Sequence, residues 1–134
     1  MHLIRFEAEN KPAIDAPTTA QIRRGIQSLK SYGPSSFASL IGDTGSYVQV
    51  AGGRVTCMVE RYDAETGRHF RAFHDRPSPV YPDGTILSFG AGNIPMKADE
   101  WFLAQQVVEL FIAFLQDQPF PEYVRWREVL GLHD

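Results

Sequence analysis

Much of what usually betrays function is missing from this sequence. A single cysteine, Cys57, in 134 residues rules out a disulfide within the chain and a cysteine-built zinc site. No apolar run approaches the roughly 20 residues a membrane helix needs. The opening MHLIRFEAENK reaches Arg5 and Glu7 before any run long enough for a secretion signal. Net charge is only −3, which argues against the clustered basic surplus of a nucleic-acid binder. Internal repeats and low-complexity tracts are absent too. What remains is ordinary: 43% hydrophobic and 22% charged residues, as in a soluble globular protein. These features predict a single cytoplasmic domain over residues 1–134, able to bury roughly two-thirds of its unfolded surface.

The apolar pattern divides the chain into strands first and a long helix late. HLIRFEA (2–8) alternates Leu3, Arg5 and Glu7 against Ile4, Phe6 and Ala8, which predicts a strand with one wet face. TTAQIRRGIQSLKSYG reads as a helix. Thr18 and Gln21 make a capping box, Ile22, Ile26 and Leu29 form its apolar stripe, and Gly33 closes it. SFASLIG reads as a short strand. In SYVQVAGGRVTCMVERY, Gly52 and Gly53 can supply the positive φ values of a tight hairpin turn. That turn would pair Val48 with Cys57 and Val50 with Val55. It places Val48, Val50, Val55, Cys57 and Val59 on the core side, with Tyr47, Gln49, Thr56, Met58 and Glu60 opposite. A turn at 63–67 leads to the next strand, and a proline-rich loop precedes the strand TILSFG. A helix over about 96–116 then carries Trp101, Leu103, Val107, Leu110, Phe111, Ile112, Phe114 and Leu115 around half its circumference. Phe102 falls in its polar strip, either folded back on the first turn or exposed as a contact. The tail after Gln116 reads as a short helical or extended piece. The expected fold is α+β: an antiparallel sheet of about five or six strands packed against an N-terminal helix and a long C-terminal helix.

The densest cluster of reactive side chains is GRHFRAFHDRP, residues 67–77. In a strand, His69, Arg71 and Phe73 point one way while Phe70, Ala72 and His74 point the other. The two histidines therefore cannot share a metal ion in a regular strand. Asp75 could orient His74, yet no serine or cysteine is presented as a nucleophile. Glu60, on the neighbouring strand, is the candidate acid–base partner of His69. Gly90-Ala91-Gly92 lacks the lysine and glycine spacing of a phosphate loop. Hairpin pairing points Cys57 inward as a core residue. Trp101 and Trp126 read as core anchors. No catalytic constellation, metal-ligand set or cofactor motif is expected, and the carboxylates of Asp63, Glu65, Asp75 and Asp83 gather near turns.

The most specific stretch is FLQDQPFPEYVRWREV, residues 114–129. A helix ending in phenylalanines runs to a proline, followed by an Arg-Trp pair and a glutamate. This resembles the C-terminal signature of immunity protein family 1 of bacterial polymorphic toxin and contact-dependent growth inhibition systems. Phe111 and Phe114 match the helix end, and Pro121, Trp126 and Glu128 match the Pro-x-x-x-x-Trp-x-Glu pattern. The preceding IPMKADEWFLAQQVVELF and the middle hairpin fit as well, so the resemblance spans about residues 37–130. It implies a small cytoplasmic α+β protein, not an enzyme, that binds and neutralises a cognate toxin domain. Toxins of such systems are commonly deaminases or nucleases acting on nucleic acid. It further implies that Phe114, Pro121, Trp126 and Glu128 are structural, with Trp126 packed against the long helix and Glu128 hydrogen-bonded locally.

The expected contact surface is the outer hairpin face with its flanking acidic turns: Tyr47, Gln49, Met58, Glu60, Tyr62, Asp63, Glu65, Asp75 and Asp83. Aromatic and methionine side chains among polar ones mark interfaces, although a covering helix would make this face a second core layer instead. Two alternatives stay open: a small enzyme using a histidine and a carboxylate on the central strands, and a homodimer joined through an exposed sheet edge.

Overall fold

The computed structural model describes residues 4–130. Seven strands form one antiparallel sheet: β1 (Arg5–Ala8), β2 (Ile14–Asp15), β3 (Phe37–Ile41), β4 (Tyr47–Gly53), β5 (Thr56–Asp63), β6 (Arg68–Phe73) and β9 (Arg125–Val129). Their spatial order is β2-β1-β3-β4-β5-β6-β9. A separate two-stranded hairpin joins β7 (Thr85–Phe89) to β8 (Gly92–Met96), and the helices are α1 (Thr19–Gln27) and α2 (Ala104–Leu115). Of the predicted first strand, residues 2 and 3 lie outside the described residues, as do 131–134 of the tail. Among the described residues no helix is long and apolar enough to cross a membrane.

The expected α+β architecture with a long C-terminal helix is overturned. The chain is mostly β, with more strands than expected and two short helices. The error lies in residues 96–103, whose apolar spacing mimics the start of a helix. Met96 instead ends β8. Pro95, just before it, has no N–H and biases Ile94 toward extended backbone. It is tolerated in β8 because that strand sits in a two-stranded ribbon. A single 3-10 turn at Ala98–Glu100 follows, and α2 begins only at Ala104, where the Gln106 side chain accepts from the Leu103 N–H at 2.9 Å. Phe102 is therefore neither folded back on a helix turn nor exposed. Its backbone pairs in both directions with Cys57, at 3.0 and 2.8 Å, and its side chain is buried.

Helix α1 starts as expected, with Thr18 and Gln21 capping each other's backbone at 3.1 and 2.9 Å. It ends at Gln27, well before Gly33, with the Ser28 hydroxyl donating to the Gly25 carbonyl. The central hairpin is offset from its expected register. The turn falls at Arg54-Val55, so Gly53 pairs with Thr56, Val50 with Val59 and Val48 with Arg61. The offset is an even number of residues, and side chains alternate with period two, so every other predicted face assignment holds. Val55 alone leaves the core, standing exposed at the turn. Gly52 does take the expected positive φ, at +88°, while Gly53 meets a different need: a Cβ there would collide with the Leu29 carbonyl just past α1.

Two cores result. Phe6, Leu40, Val48, Val50, Val59 and Ala72 on one sheet face meet Ile22 and Ile26 of α1 and Val107, Leu110 and Phe111 of α2. On the other face, the β7–β8 hairpin and Trp101 cover Ala51 and Met58, with Leu87 and Met96 buried between. Burying both faces is what lets Val50-Ala51 and Cys57-Met58-Val59 run apolar without alternation.

Candidate interaction surface

The antiparallel register aligns the face opposite the helices into three transverse rows. The first, Phe37-Ala51-Met58, lies beneath the β7–β8 hairpin. The second runs Ser39-Gln49-Glu60-Arg71-Arg127 across five strands. The third, at the far end, runs Ile41-Tyr47-Tyr62-His69-Val129.

The second row is a buried ion network. Arg71 donates to Glu60 through Nη2 at 2.8 Å and Nε at 3.1 Å, and Gln49 donates to the same carboxylate at 3.2 Å. Arg71 also reaches Glu100 at 3.5 Å, while Arg127 donates to Glu100 at 2.8 Å and to Asp99 at 3.1 Å. Glu60 and Glu100 are each at least 96% buried, with exposures of 4% and 3%. Charges so deeply buried are tolerated only when paired and hydrogen-bonded. The network therefore ties the 3-10 turn to β5, β6 and β9. The Asp99 carboxylate raises the Arg127 pKa further, with Glu100 adding to it.

The third row is half-buried and aromatic. Tyr47 and Tyr62 rings lie 5.4 Å apart, and Tyr62 and His69 rings 4.6 Å apart. Directly across from His69 on β5 stands Tyr62, and Glu60 faces Arg71 instead, which corrects the expected His69–Glu60 pairing. Burial, and then the Glu60 charge, raise the Tyr47 pKa. Ser46 accepts from the Ala64 N–H at 2.9 Å, so the β3–β4 and β5–β6 turns close this end side by side.

The structure sorts the expected contact residues into three groups. Met58 and Glu60 are buried in the hairpin core and the ion network, which takes them out of the expected contact surface, and half-buried Gln49 donates to Glu60. Tyr47, Tyr62, Asp63 and Glu65 gather at the open end; Asp63 accepts from the Glu65 N–H at 3.0 Å and from Thr66 at 3.2 Å. Asp75 and Asp83 lie at the opposite end of β6. There Asp75 pairs with Arg125 at 3.0 Å and Asp83 accepts from the Ala98 N–H at 2.7 Å.

Of the tail residues, Phe114 packs against the main core from α2 and the Pro121 carbonyl accepts from the Val124 N–H at 3.0 Å. Trp126 sits in β9 with its ring 5.1 Å from Phe120, and Glu128 pairs with Arg68 at 3.7 Å.

The remaining reactive side chains are occupied or buried. His74 Nε2 lies 2.7 Å from the Trp101 carbonyl oxygen, and its ring meets Phe102 edge-on at 4.9 Å. Burial pushes the Cys57 thiol up to about 12. Gly90 opens the β7–β8 turn, where its N–H donates to the Ser36 hydroxyl, which itself donates to Glu9. A carboxylate at that position disfavours phosphate. Among the described residues, no three His, Cys, Asp or Glu side chains gather to hold a metal ion.

Sequence reasoning overlooked Arg61. It shares a strand face with Cys57 and Val59, so it points toward the helices. There its guanidinium lies over Phe70 at 4.2 Å and Trp126 at 4.9 Å. The signal was present: an arginine in register with core residues. No family profile matches the chain, and no curated protein or solved structure matches it significantly.

Proposed function

We propose that this protein neutralises a toxin domain in the cytoplasm by direct contact, as a binding protein rather than an enzyme. The observation that carries this reading is the aromatic row. Ile41, Tyr47, Tyr62, His69 and Val129 form a half-buried stripe across five strands, on the far side of the ion network from the β7–β8 hairpin. Tyrosines in a preformed, rigid setting are frequent anchors of protein interfaces, because they bury much area at little entropic cost. The sheet holds this stripe rigid, and the ion network beside it fixes the strands that carry it.

The acidic turns give the surface its electrostatic character. Asp43, Asp63 and Glu65 border the open end, and a nucleic-acid-targeting deaminase or nuclease would offer them a basic groove. Opposite charge there speeds encounter and selects the partner. The resemblance of residues 114–129 to an immunity family supports the same reading. A homodimer is the second reading, supported by β9, which forms an outer edge of the sheet.

Titrating the purified protein with the cognate toxin domain that the proposal requires tests it. A one-to-one complex of nanomolar affinity, weakened by Tyr62→Ala, is expected. Absence of any complex, with a dimer in sedimentation equilibrium, would favour the second reading.

A further inference from the structure

A cavity of about 520 Å³ opens at the end of β4 and β5 away from the aromatic row. The β4–β5 turn, the start of α2 and the proline-rich loop after β6 wall it. Small-molecule sites commonly enclose about 300–1,000 Å³, mostly apolar with a few polar groups.

Apolar side chains stand open to solvent here. Val55 at 59% exposure and Leu103 at 50% line the cavity, and Val80, at 69%, lies in the loop between the lining residues Ser78 and Tyr81. Tyr81 and Trp101 supply an aromatic wall, their rings 4.8 Å apart. The walls are held in place from behind. The Arg54 carbonyl accepts from the Ala104 N–H at 2.6 Å, which ties the turn to α2. Arg54 itself holds a φ of +58°, a left-handed conformation unfavourable for a residue with a side chain, and such strain gathers at binding sites. In the loop, the Ser78 hydroxyl accepts from the Val80 and Tyr81 N–H groups, each at 3.1 Å. The Ser78 N–H donates to the Ala98 carbonyl at 2.8 Å, and Pro77, Pro79 and Pro82 each fix φ.

The polar groups of the lining decide the charge of a ligand. His74 contributes none, because its Nδ1 accepts from the Arg76 N–H at 3.1 Å and its Nε2 donates to the Trp101 carbonyl at 2.7 Å. Asp75 is paired with Arg125 at 3.0 Å. Glu109 lies outside the lining and accepts from the Tyr123 hydroxyl at 2.7 Å, and Glu122 also stands outside it. The Arg76 guanidinium differs from all of these. It is exposed at the cavity and has no acceptor among the described residues. Gln106 spends its Oε1 on the Leu103 N–H, and its Nε2 likewise has no acceptor among them. The free groups are therefore donors, one of them a fixed cation. A carboxylate suits both, since a guanidinium can grip it through two parallel hydrogen bonds. The apolar part of the ligand meets aromatic rings, which favour a ring in offset or edge-on contact.

We propose that this cavity binds a small aromatic carboxylate. The ring packs against Tyr81, Val55 and Leu103, and the carboxylate accepts from the Arg76 guanidinium and the Gln106 amide. The site lies at the opposite end of the sheet from the aromatic row, so it goes beyond neutralisation and does not depend on it.

The test titrates indole-3-propionate into the 15N-labelled protein and follows the backbone amides of Val55, Arg76, Tyr81 and Gln106. Saturable shifts with a millimolar or lower dissociation constant are expected there, and none at Thr44 and Glu65 at the far end of the sheet. Indole-3-propionamide keeps the ring and loses the charge, and should bind at least about tenfold more weakly. In Arg76→Gln the difference between the two probes should fall below about threefold. Arg76 is exposed, so the melting temperature should not move. Leu103→Ser should weaken both probes by about tenfold, while serine at an N-cap position keeps α2 intact. No saturable shift, equal affinity for the two probes, an undiminished difference in Arg76→Gln, or unchanged affinity in Leu103→Ser would overturn the proposal. Tighter binding of a tripeptide ending in a tryptophan carboxylate would assign the cavity to a protein C-terminus and overturn the small-molecule assignment.

Discussion

Glu60 and Arg71 face each other across β5 and β6, and the Arg71 Nη2 donates to the Glu60 carboxylate at 2.8 Å in a site almost sealed from water. This contact begins a chain that passes through Glu100 to Arg127 and Asp99. Removing one member leaves a buried charge uncompensated. Arg71→Ala or Glu100→Ala should therefore cost about 3–5 kcal/mol in urea denaturation. Replacing Arg127, which is more exposed, should cost less. Equal, small losses at all three positions would remove the network from the account of stability.

If the proposed contact holds, mutation should separate the aromatic row from the ion network. Tyr62→Ala should lower toxin affinity by about 2 kcal/mol, some 30-fold, with little loss of fold. Gln49→Ala and Met58→Leu, at positions closed by the network and the hairpin, should leave affinity nearly unchanged. Isothermal titration of the three variants distinguishes the rows.

Charge placement makes a kinetic prediction. Glu65→Lys lies beside the row, and Asp75→Lys lies at the other end of β6. Glu65→Lys should slow association at low salt by about tenfold, because steering by surface charge acts mainly on the on-rate. Asp75→Lys should not. Stopped-flow mixing at two salt concentrations checks both, and the difference should shrink as salt rises.

Much of this arrangement was legible in the sequence, for identifiable reasons. The Thr18–Gln21 box fixed the start of α1, because a capping pattern is local. Side-chain alternation placed Val48, Val50, Cys57 and Val59 on one face even though the hairpin turn sits two residues later than the glycines suggest. The turn position misled because Gly53 answers a long-range demand, the approach of Leu29, that no local pattern reveals, although Gly52 does take the expected positive φ. Residues 96–103 misled for a similar reason. Their apolar spacing suits a helix, and only the pairing of Met96 with Thr85 and of Phe102 with Cys57 decides otherwise. The candidate site was half legible. Tyr47 and Tyr62 were placed on one face by strand alternation, but His69 and Val129 join them only through register, and Arg61 is marked only by its ring box.

Gly53 offers a direct check of that long-range packing. Gly53→Ala should destabilise the protein by about 3 kcal/mol or more, since backbone rather than a flexible side chain lies in the way. Gly67→Ala is the control. It has a φ of +72° but open space around it, so only the left-handed backbone penalty of about 1 kcal/mol applies. Thermal denaturation of the two variants should rank them in that order.

Stability should also fall in alkali through Cys57. Burial pushes its thiol from 9.0 up to about 12, so the folded chain holds this proton more tightly than the unfolded chain. The contribution is complete below about pH 9 and is lost as pH rises toward 12. Tyr47 and Tyr123 are raised as well and act in the same direction. Urea midpoints should drop between pH 8.5 and about 10.5, and Cys57→Val should flatten part of that slope. An identical slope in the variant would assign the alkaline loss to the tyrosines alone.

The central claim is neutralisation through the aromatic end of the sheet. Its most direct test is survival of cells expressing the proposed cognate toxin domain together with this protein or its Tyr47→Ala/Tyr62→Ala variant. The account predicts that the wild type rescues growth and that the variant, though folded and equally abundant, does not. Rescue by both proteins would move the contact elsewhere, and rescue by neither would contradict the account itself.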